Sequence, residues 1–422
     1  MKRIVLIVPS FPKLSETFIV SKVLGLLARG WDVHLVCGES KPEEWRRFPE
    51  LQSLAEAQRR VHVSWPHRPR WLAVLLVPLA VFWTLWRNPR GSLRYLYRGW
   101  HKFRWDLLRR FYLDSTILEL NPDLIHMEFG ALAAERMYLK ELLNCKIVVS
   151  FRGYDLNFVE LDNPKYYQEV WDQADALHLL GEDLWQRAQK RGCPPEKMHS
   201  LIPPAIFTIN FDGSERQHIE VLGSRKHPLR IASVGRLEWK KGYEYALQAV
   251  RLLLNQGIVC EYRIIGGGGY LGAVGFARHQ LGLEGVVRFM GALSPQEVKA
   301  QLAWADVFLH AAVSEGFCNA VLEAQAMGLP VVCTDADGLS ENVAHGETGF
   351  VVTRRNPPAL AEKSALLAKE PHQRQEMGQA GRQRVLAHFQ LANQISAFDR
   401  LYRAVLNRVD PERQVLCDHE SI

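Results

Sequence analysis

Two glutamates eight residues apart are the strongest candidates for chemistry in this 422-residue chain. Glu315 and Glu323 lie in the segment S-E-G-F-C-N-A-V-L-E-A-Q-A-M-G-L-P, where Gly316 permits a turn and 319–327 has the composition of a helix. Glu315 therefore precedes a helix N-terminus, whose free N–H groups suit a diphosphate. A carboxylate can also accept hydrogen bonds from two hydroxyls of a sugar or a ribose. These residues predict a site for a phosphorylated sugar compound.

The spacing of the two glutamates is weak evidence by itself. With 46 acidic residues in the chain, chance gives about five acid pairs at this separation. The surroundings of Glu323 are more informative, because Val321, Leu322 and Ala324 make its helix mostly apolar, and a carboxylate in such a helix usually has a partner. The alternative is a charge at a helix end and a second charge on a solvated helix face.

Two cations upstream suit the same chemistry. Arg236 and Lys241 lie in V-G-R-L-E-W-K-K-G, directly after a strand predicted over 229–234. Fixed cations after a strand are suited to a leaving diphosphate. Taken alone, the two cations are explained equally well by an exposed basic loop. Only together with Glu315 do they favour a diphosphate-binding site.

Both segments resemble one family. The pattern E-G-F-x-N-x-x-x-E-A-x-A-x-G-x-P-V resembles the E-x7-E signature of retaining glycosyltransferase family 4, and V-G-R-L-x-x-x-K-G resembles a second motif of that family. The resemblance implies the α/β GT-B fold, with two doubly wound Rossmann-like domains that face a central cleft. It implies that Arg236 and Lys241 clamp the donor diphosphate, that Glu315 holds the donor sugar and that Glu323 holds the ribose.

The resemblance also implies further donor contacts. Cys318 stands where the family most often has glycine. The G-x-G-x-x-G within 266–272 matches a dinucleotide fingerprint only weakly, because the strand predicted over 286–289 is followed by Met290 and not by an acid. In the family this segment is the glycine-rich turn of the donor domain. The predicted donor-binding residues are Gly235, Gly267, Leu293, Gly316, Phe317, Cys318 and Asn319.

The first half of the chain supplies the predicted acceptor side. The segment P-S-F-P-K-L-S-E-T-F resembles the exopolysaccharide branch of the family, including colanic-acid enzymes, and makes Glu16 and Thr17 candidate contacts. A simple helix N-terminal turn is an equally good explanation for these two residues. Ser15 is the predicted N-cap of a helix over 16–29.

One departure from the family concerns R-G-Y-D, where many relatives have H-G-x-D. Arg152 cannot act as a general base at ordinary pH, so a phosphate or sugar-hydroxyl contact is its expected role, with Gly153 and Asp155 beside it. Glu128 stands where relatives often have a second histidine. We expect Glu128 and Arg152 to pair across adjacent strand ends.

Two series of apolar runs alternate with helical stretches, which favours two parallel sheets covered on both faces. The predicted domains are 1–205 for the acceptor, 206–390 for the donor, and a helical end, 391–422, that crosses back to the first domain. A long helix is expected over 380–409, with breaks before it at Pro371 and Gly378. The predicted strands are 4–8, 32–37, 124–127, 146–150, 177–180, 229–234, 261–265, 286–289, 306–310 and 330–334.

A basic, aromatic insertion is expected near 65–112. It holds ten Arg and Lys against one acid, and six of the chain's twelve tryptophans. Its uncharged stretch 71–86 would make a helix of roughly 24 Å, short of a hydrocarbon core of roughly 30 Å, and Pro78 is expected to interrupt it. This composition favours a helix in the membrane surface. The alternative is a core helical hairpin with solvated arginines.

The cysteine content and the motifs of the chain limit the classes of function that it can have. Seven scattered cysteines without a C-x-x-C pair indicate a reducing cytoplasm, and neither a zinc site nor a disulfide frame. The resemblance implies a metal-independent family, and no nucleic-acid motif is found, so no cofactor, no metal and no nucleic acid are expected. The prediction is a retaining glycosyltransferase that uses a UDP- or GDP-sugar and a lipid-linked or saccharide acceptor, peripheral on the inner membrane face. The alternatives are an inactive nucleotide-binding GT-B scaffold, a GT-B phosphorylase or an epimerase.

Overall fold

The computed structural model of the chain describes residues 2–13, 16–48, 51, 58–64, 70–206, 211 and 220–408, and the side chains of 70–74 lie outside the description. The chain forms two compact units. The first comprises Met1–Leu179, Trp185–Ile202 and Ile395–Ile422, and the second comprises Leu180–Leu184 and Pro203–Gln394. These bounds lie within a few residues of the divisions expected at 205 and 390, and the last segment belongs to the first unit.

The first unit is built on a parallel sheet in the order β3-β2-β1-β4-β5-β6-β7. Its strands are β1 (Arg3–Ser10), β2 (Asp32–Glu39), β3 (Val61–Val63), β4 (Leu124–Met127), β5 (Lys146–Phe151), β6 (Ala176–Leu179) and β7 (His199–Leu201). The helices up to β4 are α1 (Thr17–Ala28), α2 (Pro42–Trp45), α3 (Arg70–Arg87), α4 (Pro89–Phe103) and α5 (Leu107–Leu120). They are followed by α6 (Gly130–Ala133), α7 (Leu139–Leu143), α8 (Gly153–Asn157), α9 (Gln168–Gln173) and α10 (Glu182–Lys190).

The central strands of this sheet are apolar along their whole length because helices cover both faces of a parallel sheet. In β1 the run from Ile4 to Val8 is buried, and Ile7 pairs with Met127 of β4. Met127 in turn pairs with Val149 of β5. The carboxyl ends of β4 and β5 therefore lie side by side, and the residues that follow them can meet.

The second unit is built on a parallel sheet in the order β10-β9-β8-β11-β12-β13. Its strands are β8 (Leu229–Val234), β9 (Cys260–Ile265), β10 (Val287–Gly291), β11 (Val307–His310), β12 (Val331–Thr334) and β13 (Gly349–Val352). The helices after β8 are α11 (Tyr243–Asn255), α12 (Leu271–Gln280), α13 (Pro295–Trp304), α14 (Asn319–Ala326), α15 (Pro357–Lys369), α16 (Pro371–His388) and α17 (Leu391–Asn407). Helix α17 continues into the first unit.

The register of this sheet positions the predicted donor residues. Strand β8 pairs with β11, with Ile231 opposite Val307. The loops that leave the carboxyl ends of these two strands carry Arg236 and Lys241 on one side and Glu315 on the other. In open parallel sheets, ligands bind at this edge.

The sheet structure confirms the ten predicted strands to within two residues at each end. Three strands were missed: β3 and β7, of three residues each, and β13, which begins at a glycine. The predicted helix over 16–29 is present as Thr17–Ala28, with Glu16 at the N-cap position. Ser15, the predicted cap, lies outside the described residues.

Three helix expectations were wrong. The helix expected over 380–409 is two helices, α16 and α17, separated where Ile206 pairs with Phe389 and Gln390 through backbone contacts. Gly378 does not break the chain but lies inside α16, with its Cα facing the carbonyl of Gly328. Pro78 does not interrupt α3, which continues from Arg70 to Arg87.

From Arg70 onward the basic, aromatic insertion folds as α3, α4 and α5, and its residues 65–69 lie outside the described residues. Polar contacts hold its helices together: Tyr95 donates to Asp114 at 2.7 Å, and Thr84 and Arg87 both contact Glu119. Its outer face exposes large apolar side chains. Within the described part of the chain, no helix combines the length and the apolar character that crossing a bilayer requires.

The close packing of Gly378 gives a stability prediction. A Cβ at this position would lie 2.1 Å from the Gly328 carbonyl oxygen. Backbone cannot yield as a side chain can, so we expect Gly378→Ala to destabilise the protein by about 1–3 kcal/mol, although Gly→Ala is usually favourable in a helix. Denaturant unfolding measures the difference.

Gly275 in α12 is the matched control, because a Cβ there would meet nothing within 4 Å. Gly275→Ala should stabilise the protein by about 0.5–1 kcal/mol. Equal effects at the two positions would contradict the packing argument.

Candidate active site

The candidate site in the second unit is built on the loops after β8 and β11. Lys241 ends a short 3-10 helix, Trp239–Lys241, and Gly242 follows it at φ 63°. A Cβ on Gly242 would lie 2.1 Å from the carbonyl oxygen of Ala311, so only glycine lets this turn approach the chain after β11. This approach brings the Lys241 side chain to Glu315.

Four side chains meet there, and we call them the Glu315 cluster: Lys241, His310, Glu315 and Cys318. The Lys241 ammonium forms an ion pair with Glu315 Oε2. His310 Nε2 lies 3.5 Å from the same oxygen and 3.6 Å from Cys318 Sγ. His310 and Cys318 are buried, whereas Lys241 and Glu315 keep 11% and 14% of their side-chain exposure. The site therefore combines two acidic and two basic groups with little solvent between them.

The charges in the Glu315 cluster support one another. Burial alone would raise the pKa of Glu315, but the Lys241 charge and the hydrogen bond from His310 bring it down to about 2. Burial also works against charge on His310, yet Cys318 and Glu315 raise its pKa to about 9. The same neighbours act on the buried Cys318 thiol, whose pKa is lowered by His310 and Lys241.

One ligand atom from each of His310, Glu315 and Cys318 falls within 4.8 Å of the others, a spacing that a metal ion can use. Lys241, however, already places a positive charge on the Glu315 oxygen that a metal would need. A cation added there would meet an ammonium at contact distance. We therefore interpret the group as a cluster of protonated and ionised side chains.

The loop that carries Glu315 is fixed by neighbours that sequence reasoning missed. Asp337 Oδ2 accepts hydrogen bonds from Ser314 Oγ at 2.6 Å and from the Glu315 N–H at 3.2 Å. Arg354 donates to the other Asp337 oxygen at 3.0 Å. Asn342 is fully buried and pairs with both backbone groups of Cys318, each at 3.0 Å. The position of the carboxylate is thus set by the backbone around it.

Helix α14 begins at Asn319, directly after Cys318, as predicted. Glu323 lies in its second turn and is half-buried among buried Val321, Leu322 and Ala324. Burial raises the pKa of Glu323 to about 7, and no other cause contributes. A carboxyl with so high a pKa, and with no neutralising neighbour in the described part of the chain, is a functional-site candidate.

The glycine-rich turn packs against the loop that holds Arg236. The Leu237 N–H donates to the Gly267 carbonyl at 2.9 Å. A Cβ on Gly266 would meet the Gly235 carbonyl oxygen at 2.0 Å, and φ there is 139°. Arg236 itself is exposed and pairs with Glu238 at 2.9 Å, and its charge also acts on Lys241.

The remaining predicted donor residues lie around the same loops. Phe317 and Leu293 are partly buried against the core cluster that includes Cys318, and the Phe317 ring lies 5.8 Å from that of Phe389. Gly267 approaches Ala292. Gly316 lies against Gly338, where a Cβ would meet the Gly316 carbonyl oxygen at 2.1 Å.

In the first unit, the predicted pair of Glu128 and Arg152 is present. Arg152 donates to Glu128 Oε2 at 3.0 Å, and Lys22 of α1 contacts Oε1 at 2.5 Å. We call Lys22, Glu128 and Arg152 the Glu128 cluster. Arg152 also stacks on Phe18, with its guanidinium carbon 3.9 Å from the ring centre. Burial opposes charge on the carboxylate, but Lys22 and Arg152 hold the pKa of Glu128 well below its usual range.

Sequence reasoning missed Lys22 and the polar chain beneath it. His126 Nδ1 lies 2.6 Å from Tyr402 of α17, and its Nε2 lies 2.7 Å from Ser150. Ser150 in turn lies 2.7 Å from His178 Nδ1. A lysine on the otherwise apolar face of α1 was the signal available for Lys22, since buried charges need partners.

The other first-unit candidates have structural contacts of their own. Asp155 accepts from the N–H groups of Arg152 and Ala131, at 2.9 and 3.1 Å, so both oxygens are engaged near the start of α8, where Gly153 is the first residue. Glu16 Oε1 pairs with Lys13, while its Oε2 is buried and unpartnered among the described residues. Thr17 is exposed at the start of α1.

Comparison with known proteins gives matches along nearly the whole chain. Residues 214–384 match the family model of glycosyl transferases group 1. The putative colanic acid biosynthesis glycosyltransferase WcaL of Escherichia coli is 30% identical over 388 residues, which cover 85% of this chain and 89% of that protein. The amylovoran biosynthesis glycosyltransferase AmsK of Erwinia amylovora is 28% identical, with 83% of this chain and 87% of that protein covered.

Solved structures agree on the fold. Sucrose-phosphate synthase from Thermosynechococcus elongatus superposes with a TM-score of 0.70 over 96% of this chain and 99% of that chain, at 17% identity. Anabaena Alr3699/HepE, solved in complex with UDP and glucose, gives the same score at 14% identity over 96% of this chain and 100% of that chain.

The two Rossmann-like parallel sheets and these structural neighbours show the GT-B fold. The chain belongs to the glycosyl transferases group 1. It is accordingly a transferase, and its relatives agree with the exopolysaccharide-type resemblance noted in the sequence.

The raised pKa of Glu323 gives a prediction on stability and pH. Its folded-state pKa of about 7 exceeds its ordinary value of 4.5, so the stability that the protonated form contributes is present below 4.5 and is lost as pH rises through about 7. Glu323→Gln stays neutral. Between about pH 5 and pH 8 it should gain roughly 1–2 kcal/mol relative to the parent protein, a figure reduced for the solvent that the side chain still contacts.

Denaturant unfolding at both pH values measures this gain. Glu376→Gln, at an exposed position on α16, is the control and should show no such change. A pH-independent difference between Glu323→Gln and the parent protein would contradict the assignment.

Proposed function

We propose that this glycosyltransferase moves a sugar from a nucleoside-diphosphate sugar, a UDP- or GDP-sugar, to a saccharide acceptor with retention of anomeric configuration. The observation that carries the proposal is the nearly buried ion pair of Lys241 and Glu315 beside the N-terminus of α14. A cation, a carboxylate and free helix N–H groups at one point suit a sugar diphosphate.

The chemistry assigns a role to each side of the pair. As the bond between the sugar carbon and the phosphate oxygen breaks, its electron pair passes to the diphosphate, and negative charge grows on that group. Lys241, Arg236 and the first N–H groups of α14, at Asn319, stabilise this charge. Glu315 accepts hydrogen bonds from sugar hydroxyls and holds the sugar as it approaches an oxocarbenium-like state.

Glu323 is assigned to the ribose of the donor. It lies one helical turn beyond the start of α14, where a half-buried carboxylate can accept hydrogen bonds from two adjacent hydroxyls. Binding of the ribose would supply the hydrogen-bond partners that burial has removed from Glu323. Phe317, Leu293 and the turn at Gly267 line the neighbouring loops.

We propose that the transfer needs no metal ion. In many phosphate-transferring sites a divalent cation neutralises the diphosphate. Here Lys241 is nearly buried, and the neighbouring charge of Glu315 raises its pKa although burial opposes this, so it stays protonated at neutral pH. A fixed ammonium can supply the charge that a metal would supply elsewhere. Turnover should therefore survive a chelator.

We assign acceptor binding to the first unit. Arg152 retains donors beyond its bond to Glu128 and sits above the Phe18 ring, an arrangement suited to a phosphate or sugar hydroxyl. Glu16 offers one unpartnered carboxylate oxygen among the described residues. The names of the relatives, colanic acid and amylovoran biosynthesis, support a growing exopolysaccharide as the acceptor. We further propose that this acceptor is carried on a lipid.

The outer face of α3 and α4 supports contact with an anionic membrane surface, which would bring the enzyme to such an acceptor. We call this face the aromatic surface. Trp105, in the 3-10 helix Arg104–Asp106 that follows α4, is 95% exposed. The basic residues Arg87, Arg98 and Lys102 are also exposed in these helices. So large a group of exposed apolar side chains, with cations beside it, is typical of a surface that binds a membrane. Its exposed apolar residues are Leu75, Leu79, Phe82, Trp83, Trp86, Leu93, Tyr97 and Trp100.

Glu315→Gln tests the proposed function. The amide keeps the shape of the side chain but removes its charge and one pair of acceptor sites. Release of nucleoside diphosphate from the sugar donor should fall by about 10²–10³-fold, as for loss of a transition-state contact. Glu376→Gln is the matched control and should keep full turnover.

The donor is identified first by thermal stabilisation with UDP-, GDP- and ADP-sugars, because a ligand that binds the folded state raises the unfolding temperature. Purified protein that no nucleotide sugar stabilises, or Glu315→Gln with parental turnover, would overturn the donor-site assignment. Nuclear magnetic resonance of the product's anomeric proton tests retention.

The aromatic surface gives a separate prediction. Phe82→Ser with Trp86→Ser removes two exposed apolar side chains, and each buried ring contributes about 1.5–3 kcal/mol to transfer from water. Recovery with anionic phospholipid vesicles in flotation should therefore fall at least about tenfold, while turnover of a water-soluble acceptor persists. Phe276→Ser, at an exposed aromatic of α12, is the control. Unchanged flotation of the double variant would refute membrane contact through this face.

A further inference from the structure

The Glu315 cluster contains two residues that the proposed transfer does not use directly. His310 is the last residue of β11, and Cys318 precedes α14. Both are buried, with 3% and 5% of their surface exposed. The ring of His310 faces a carboxylate and a thiol in this buried site. Burial of ionisable groups is costly unless they are paired, so the contacts among these groups call for a functional explanation.

We propose that His310 and Cys318 are positioning residues: an imidazolium–thiolate pair that holds one oxygen of Glu315 and leaves the other for the donor sugar. This inference rests on the proposed function, in which Glu315 binds that sugar. It adds two residues that act through Glu315 and do not themselves touch the substrate.

The contacts of Glu315 show how Lys241 and His310 fix its carboxylate. Lys241 and His310 both approach Oε2, and among the described residues the hydrogen bonds of this carboxylate are made by that oxygen. Oε1 thereby keeps its acceptor capacity. Two cations on one oxygen also prevent the carboxylate from rotating, so the donor meets a fixed acceptor.

Cys318 determines whether His310 can donate a hydrogen bond to Glu315. The imidazole must carry a proton on Nε2 to donate to Glu315, and neutral imidazole has two alternative tautomers. With a thiolate 3.6 Å and a carboxylate 3.5 Å from Nε2, the protonated form is favoured, and the pKa of His310 is raised to about 9. Cys318 therefore keeps His310 in the donating state at neutral pH.

The groups that face His310 come from several elements. The 3-10 helix supplies Lys241, and the loop before α14 supplies Glu315 and Cys318. Cys333 of β12 is its partner in the strand register. With alternating charges on Lys241, Glu315, His310 and Cys318, the cluster is neutral as a whole. Loss of the His310 proton would leave it with a net negative charge facing the donor diphosphate.

The first experiment detects the thiolate without any turnover. A difference ultraviolet titration of the parent protein against Cys318→Ala should show a thiolate that ionises below the usual range of a cysteine. The other described cysteines do not interfere, because burial raises the pKa of each of them. The pKa is raised to about 11 for Cys37, to about 12 for Cys145, Cys193 and Cys260, and above the usual range for Cys333. In His310→Leu the same signal should move to higher pH.

The second experiment uses the pH profile. In the parent protein, kcat should decline on the alkaline side near pH 9, as His310 loses its proton. Cys318→Gly removes the largest influence that raises the pKa of His310, so this decline should move toward neutral pH. His310→Leu should lower kcat about tenfold with KM for the donor changed less than about twofold, the pattern of a contact made mainly in the transition state.

Controls separate positioning from folding. Cys333→Ala removes a buried thiol from the strand beside His310 and should leave the alkaline limb in place. His310→Gln retains an N–H donor and should recover part of the kcat lost in His310→Leu. If the thiolate signal is absent, or if Cys318→Gly and His310→Leu keep the parental profile, the inference is wrong. Parental turnover in Glu315→Gln would instead contradict the proposed function, while the ultraviolet result would stand.

Discussion

The ion pair of Lys241 and Glu315 is the interaction on which the second unit depends. Neither charge is well solvated, so each would be costly alone, and each is stabilised by the other. The pairing of β8 with β11 makes the contact available, and Gly242 lets the two loops approach. Sheet register, the turn at Gly242 and the ion pair with Lys241 therefore together determine the position of the Glu315 carboxylate.

The first unit repeats the principle with other residues. Glu128 lies after β4 and Arg152 after β5, so the parallel register again brings opposite charges together at the carboxyl ends of neighbouring strands. Lys22 then completes a triad with two cations and one anion. This excess of positive charge in the Glu128 cluster suits an anionic or hydroxyl-rich partner.

Much of this arrangement could be predicted from the sequence, because central parallel strands are continuous apolar runs and the charged motifs follow them directly. Short edge strands such as β3 and β7 carry too few residues for a pattern. His310 was missed since it occupies the last position of a buried strand, where a histidine resembles a core residue. Cys318 was predicted as a donor-binding residue that replaces the family's usual glycine, and not as a partner of His310. Their partnership is tertiary, and no spacing rule connects a strand end with a helix start.

The packing of α17 has a consequence for the order in which the chain folds. Ile395 fills the space left by Gly25 of α1, and Tyr402 meets His126 inside the first unit. The residues that finish this unit are thus synthesised after the whole second unit. During synthesis, the first sheet therefore stays without α17, and its polar interior around His126 stays uncovered, until the second unit has been made. The second unit can complete its fold before the first unit does. The N-terminal unit of this enzyme is begun first and completed last.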